Sequence, residues 1–277
     1  LYQGTGLDSP GDLVGWYPSE HDAQVVEVSA PDAYAQCSTY RRALFLLPVD
    51  EASTLVLDVF DVAGGAVHEW MAQGSCMVEG TLDVSCPTTF LADSYADDGS
   101  PFTPPPSSEY MRQRRSKGLN PWRLEPGEKD PWYGVFRDVY VGRTEGHFEA
   151  RFTYDYPEHT ELRLHMLAPG DARLYTCTVP SLRRTWSDAE QREVHERVEK
   201  FRMPKLIVRR DGVDLTSRFV ALWEPVRGRN VVVAFRDLAP DDPSVVAVEI
   251  RTGAGAGNRV IRVIYCPTPD KRVCLPG

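Results

Sequence analysis

At 277 residues the chain is long enough to bury a core as one large all-β domain or as a domain with a smaller appendage. Its formal net charge of −9 argues against a general nucleic-acid surface, and no apolar run approaches the length of a membrane-spanning helix. Six cysteines are too few to scaffold a chain of this size, so the fold has to rest on packing.

The first twenty residues, rich in Gly, Asp and Ser, read as a loop entering a strand at Gln24 to Val28. Trp16 and His21 in this stretch are either site residues or caps on the edge of the core. From Tyr40 to Gly74 the spacing predicts a strand, a turn, a second strand, a Gly-Gly break and a third strand. Leu44 and Leu46 oppose Phe45 and Leu47, which describes an inner strand covered on both faces. In the second strand Leu55, Leu57 and Val59 oppose Val56, Phe60 and Val62, and Asp58 falls on the latter face, where a carboxylate needs a partner. Gly64 and Gly65 permit a sharp re-entry, so the three strands are expected to form a meander near a sheet centre.

Cys76 and Cys86 bracket a hairpin-like stretch, and Cys266 and Cys274 bracket a Pro-rich tail. Two local bridges or buried free thiols both satisfy these spacings. Residues 97–131 hold many prolines and no periodic apolar pattern, the signature of a long insertion loop. Within it Arg112, Arg114, Arg115 and Lys117 lie between Tyr110 and Trp122, a mix of cations and aromatic faces suited to an acidic sugar chain, or else a solvated loop.

Strands resume at Val135 to Val141 and at His147 to Tyr154, the latter with half-exposed antiparallel alternation. In the next strand Leu162, Leu164 and Met166 face the core and leave Glu161, Arg163 and His165 as a charged stripe on the other face, a solubilising feature or a site. Ser187-Asp188-Ala189-Glu190 reads as a capping box, and Val194, Val198 and Phe201 follow at helical spacing until Pro204, so a surface helix is expected over 187–202. Four or five strands fill Leu206 to Tyr265. The sum is an all-β antiparallel β-sandwich with one surface helix and one long insertion loop. Residues 1–240 form the sandwich and 241–277 its last strands or the start of a small C-terminal β region. No phosphate loop, dinucleotide fingerprint, Gly-x-Ser-x-Gly elbow, His-Glu-x-x-His or structural zinc spacing is present.

Two blocks carry a family resemblance. The order Tyr40-Arg41-Arg42, apolar strand, Asp58-Val59-Phe60-Asp61-Val62, Gly64-Gly65, His68-Glu69-Trp70, Gly74 resembles the β-rich half of the heparinase II/III-like polysaccharide lyases. The run Leu162 to Leu167, Val179-Pro180, Pro204 to Arg210 and Ser217 to Pro225 is similar to the later part of the same family. The resemblance implies a β-sandwich of the super-sandwich type and cleavage of acidic, uronate-containing polysaccharides such as glycosaminoglycans or alginate by β-elimination. A base removes the proton beside a uronate carboxylate, an acid protonates the departing oxygen, and the carboxylate is neutralised.

It further implies that His68, which matches the family's first His after the Gly-Gly break, is the candidate base or neutralising group. Tyr40, Arg41, Arg42, Arg112, Arg114, Arg115, Arg163 and His165 are the candidate substrate-binding residues. Gln73 stands where relatives carry a second His, and Tyr40 stands where many carry a His able to ligate the zinc that some members bind, which leaves Asp58 as the matched metal candidate. The family's N-terminal helical toroid and its His-x-His-x-Asp segment are absent from this chain. The chain is therefore expected to be a fragment of a secreted or periplasmic lyase, incomplete as a catalyst and partnered by the toroid and an acidic polysaccharide. A non-catalytic carbohydrate-binding or structural module is the alternative.

Overall fold

The computed structural model describes residues 11–20, 22–93, 95, 107–118, 136–156, 158, 160–187, 192–193, 197, 200–238, 242–253 and 257–267. The strands are β1 (Asp12–Tyr17), β2 (Gln24–Ser29), β3 (Thr39–Asp50), β4 (Ser53–Ala63), β5 (Val67–Gln73), β6 (Gly80–Val84) and β7 (Thr88–Ala92). After helix α1 (Ser107–Ser116) come β8 (Arg137–Arg143), β9 (His147–Tyr154), β10 (Thr160–Leu167) and β11 (Arg173–Pro180). The short helix α2 (Leu182–Thr185) precedes β12 (Trp186–Ser187), β13 (Arg192–Glu193), β14 (Arg202–Asp211), β15 (Thr216–Arg227), β16 (Val232–Asp237), β17 (Val246–Thr252) and β18 (Val260–Tyr265).

An eight-stranded antiparallel sheet, β1-β2-β3-β4-β15-β10-β9-β6, is the central layer. A five-stranded sheet, β5-β14-β11-β8-β7, covers one face and the three-stranded β16-β17-β18 covers part of the other. The predicted all-β sandwich is thus the observed fold, with a third sheet added. In that third sheet β17 pairs with both β16 and β18.

The double apolar alternation of β4 explains the layering. Leu55, Leu57 and Val59 pack with Phe235, Val248, Ile250 and Val263 of the small sheet, whereas Phe60 and Val62 pack with Trp70, Leu206 and Val208 of the five-stranded sheet. A third cluster, Tyr95, Phe136, Val139, Tyr175 and Ile207, covers the far side of the five-stranded sheet.

The expected three-strand meander breaks at the glycines. β3 and β4 pair, but β5 pairs with β14 in the facing sheet. Gly64 and Gly65 have φ of 93° and 85°, and a Cβ on Gly64 would lie 2.2 Å from the carbonyl oxygen of Gln36, so the chain can change sheets there only without a side chain.

Other expectations are also corrected. β6 pairs with β9 and β7 with β8, so the stretch between Cys76 and Cys86 is no local hairpin, and both cysteines are free thiols. Cys274 lies outside the described residues. Most of the 97–131 loop also lies outside them, but its middle forms α1.

Within 187–202, Trp186–Ser187 pairs with Arg192–Glu193 in a short ladder where the start of the helix was expected, and Phe201 N donates to Arg197 O at 2.9 Å; most of the rest of that stretch lies outside the described residues. Ser181 N donates to Phe201 O at 2.8 Å.

A carboxylate is buried between the two main sheets. The fully buried Asp58 accepts from Arg42 Nε at 2.8 Å, Arg42 Nη2 at 2.6 Å and, across the sandwich, Trp70 Nε1 at 3.3 Å. Removing Arg42 leaves a buried carboxylate with one neutral donor, so Arg42→Ala is expected to cost about 3 kcal/mol in urea unfolding. The double substitution Arg42→Met/Asp58→Leu is expected to recover most of that loss.

On the outer face of the small sheet, Glu249 accepts from Arg251 Nε at 2.8 Å, Arg262 Nε at 2.9 Å and Arg236 Nη2 at 2.5 Å. Arg251 and Arg262, aided by Arg236 and opposed by burial, lower its carboxyl from the ordinary 4.5 to about 2. A depressed folded pKa stabilises above the ordinary value and loses that contribution as the pH falls towards 2. Glu249→Gln should therefore lower the melting temperature near neutrality, and the gap to the parent should close between pH 4.5 and 2.

Candidate functional site

The charged stripe on β10 forms as its period requires, but on a face that is half roofed. Leu164 and Met166 enter the core between the main sheets, which turns Glu161, Arg163 and His165 towards the side where β16-β17-β18 packs. Arg163 Nε donates to Glu161 Oε2 at 2.8 Å, so these two residues neutralise each other.

His165 belongs to a different group. It is 5% exposed and lies between two carboxylates, with Nε2 3.2 Å from Glu224 Oε2 and Nδ1 3.2 Å from Glu149 Oε1. Glu224 on β15 is fully buried, and its Oε1 accepts from the backbone amides of Val231 at 2.5 Å and Val232 at 3.0 Å. Burial pushes the Glu224 carboxyl up, but His165 and the two amides together outweigh it and hold the group below its ordinary value.

Glu149 on β9 is the direct cross-strand partner of His165, and His147 lies two residues earlier on the same face. One ligating atom from each of His147, Glu149 and His165 lies within 4.8 Å of the others. Burial pushes the His147 imidazole down, against Glu149 and with His165. Phe235 of β16 borders both rings, at 6.4 Å from His147 and 6.5 Å from His165 between centroids.

His68 occupies a structural position. At 4% exposure its Nε2 donates to the Gly64 carbonyl at 2.7 Å, which fixes the tautomer, and its Nδ1 accepts from Ser217 Oγ at 2.8 Å. Ser217 Oγ in turn accepts from Arg210 Nη1 at 2.9 Å. Both ring nitrogens are engaged, so His68 ties the Gly64 turn to β15 and presents no unengaged nitrogen to a substrate.

The remaining candidates do not converge. Tyr40 packs against Tyr34 and Phe60, at 5.3 and 5.0 Å between centroids. Its neighbour Arg41 turns to the opposite face of β3 and pairs with Glu27, while Arg42 is committed to Asp58. On α1, Arg114 is buried, whereas Arg112 and Arg115 lie one helical turn apart and exposed.

The zinc implied by the resemblance does not fit at Asp58. A guanidinium already occupies both carboxylate oxygens there, and the neighbouring Tyr40 sits in an aromatic cluster.

Sequence reasoning found His165 but missed His147, Glu149 and Glu224, because alternation assigns residues to faces without telling which strands are neighbours. The only available signal was that His147 and Glu149 share a strand face, as do Arg163 and His165. Also missed was a buried polar group on the far sheet, where Tyr95 Oη donates to Glu69 Oε1 at 2.8 Å and Arg209 Nη1 donates to the same oxygen at 3.3 Å. Burial pushes the Tyr95 phenol up, with Glu69 adding to it, so this group acts as a neutral brace.

No protein-family model and no curated protein sequence matches the chain. Among solved structures it is similar to the heparan sulfate lyase HepC from Pedobacter heparinus, with 11% identity and a TM-score of 0.47 over 92% of this chain and 28% of that one. It is also similar to the heparinase III BT4657 gene product, with 9% identity and a TM-score of 0.45 over 93% of this chain and 28% of that one. A third structure, of heparinase III, gives 10% identity and a TM-score of 0.44 over 92% of this chain and 27% of its own length. The chain thus spans little more than a quarter of the length of the solved proteins it matches.

Proposed function

We propose that this chain is the β-sandwich part of a secreted or periplasmic polysaccharide-lyase-like protein acting on uronate-containing polysaccharides by β-elimination, and that alone it binds such chains without cleaving them. The two blocks with family resemblance support the first half of this reading. Far apart in sequence, they fold together: β3, β4, β15 and β10 are neighbours in the central sheet, and β5 and β14 are neighbours in the facing one.

The observation that carries the second half is the state of His68, whose two nitrogens are held by Gly64 and Ser217. β-Elimination needs base, acid and carboxylate clamp in one geometry, and errors of about an ångström cost on the order of a hundredfold. With His68 engaged and Arg41 and Arg42 on opposite faces, the missing groups have to come from a partner domain such as the family's helical toroid. Binding falls to the exposed pair Arg112 and Arg115, whose guanidinium groups match carboxylate and sulfate oxygens. A non-catalytic carbohydrate-binding module is the second reading, favoured by the same engagement of His68. A toroid encoded upstream in the parent gene would decide against it.

The purified chain is to be incubated with alginate and heparin-like chains while the ultraviolet absorbance of unsaturated uronate ends is followed. No rise is expected, together with weak binding that falls with salt and falls further in Arg112→Ala/Arg115→Ala. His68→Ala is expected to lower stability by about 2–3 kcal/mol, because it strands buried hydrogen-bonding groups, and to leave binding unchanged. A rise in absorbance abolished by His68→Ala would overturn the proposal.

A further inference from the structure

The group around His165 carries an inference that does not rest on the carbohydrate reading. We infer that His147, Glu149 and His165 form a binding site for a divalent transition-metal ion of the zinc type, with Glu224 as the carboxylate that orients His165.

His165 Nδ1 and Glu149 Oε1 face each other across the β9–β10 pair. Glu224 is fixed by two backbone amides, so its second oxygen takes the Nε2 proton of His165. With Nε2–H donated to Glu224, the Nδ1 of the ring faces Glu149 Oε1 at 3.2 Å, so two potential acceptors are brought together. Either a proton or a metal ion resolves this contact. A proton needs only those two atoms, whereas a metal needs a third donor, and His147 supplies one within 4.8 Å. In a tetrahedral zinc site the ligand bonds are about 2.0–2.2 Å, so the three side chains need to close only slightly around an ion.

Three further features fit a metal. A histidine ligand usually donates its other ring N–H to a carboxylate, and Glu224 is positioned to accept it. Phe235 forms an apolar wall beside both imidazoles. His147 and Glu149 are exposed and His165 is buried, so an ion can enter from solvent and keep an open position for water or an anionic oxygen.

Two imidazoles and one carboxylate suit zinc and its transition-metal neighbours better than magnesium or calcium, which prefer all-oxygen shells. The site is separate from Asp58. Asp58 faces the five-stranded sheet, whereas His165 lies on the face of the central sheet that carries Phe235.

The test is titration of the metal-stripped full chain with Co²⁺, read by its visible d–d absorption, followed by displacement with Zn²⁺. The expected result is one equivalent of cobalt in a nitrogen and oxygen environment, without the near-ultraviolet thiolate band that Cys76 or Cys86 would produce. His147→Ala and Glu149→Gln change exposed residues and leave the fold intact. Each should weaken binding by at least about tenfold, and together they should abolish it. Glu224→Gln should weaken it by about 10–100-fold without removing a ligand. Absence of the cobalt spectrum, a thiolate band, or unchanged binding in the His147→Ala/Glu149→Gln double variant would each overturn the inference, the first meaning that only a proton bridges His165 and Glu149.

Discussion

The architecture depends on the full burial of Asp58. A carboxylate at the centre of a sandwich is tolerable only if every strong acceptor site is used, and here the donors come from both layers: Arg42 in its own sheet and Trp70 in the facing one. That requirement sets how β5 lies over β4, and so where the chain must cross after Gly64 and Gly65. Trp70 also packs at 5.6 Å from Trp223 of β15, which places aromatic surface beside the polar contact.

A second consequence concerns His68. Because β5 leaves the central sheet immediately after a two-glycine turn, the Gly64 carbonyl has no ladder partner on that side and requires a donor. His68 supplies it and is itself held by Ser217 and, through it, by Arg210. The residue that the family resemblance marks for chemistry is thereby tied to the turn.

The central sheet also separates two chemical environments. Its face towards the five-stranded sheet is largely apolar, with Asp58 and its donors and the His68–Ser217 pair as buried polar groups among the described residues. Its other face is covered by three short strands chiefly over the β3-β4-β15 region, and at the margin of that cover Glu149 and His147 are exposed beside the buried His165. Glu224 lies just inside the margin, where two amides from the start of the small sheet replace water as its donors. The exposed Glu149 and the two amides on Glu224 offset the cost of burying His165 and Glu224 there.

The sequence by itself determined the elements and their faces: the double alternation of β4, the one-sided alternation of β9, the stripe on β10 and the break at Gly64-Gly65 all follow from a period of two and from residue chemistry. It also marked Asp58 as a carboxylate in need of a partner. Tertiary structure alone decided which strands became neighbours. Nothing local indicates that β5 leaves its hairpin partner to pair with β14, that β6 finds β9, or that Glu149 stands opposite His165 and Glu224 reaches it from β15. The physical reason is that side-chain alternation is a property of one backbone, whereas pairing and register are set by how three apolar layers close over one another, and that closure involves residues far apart in the chain.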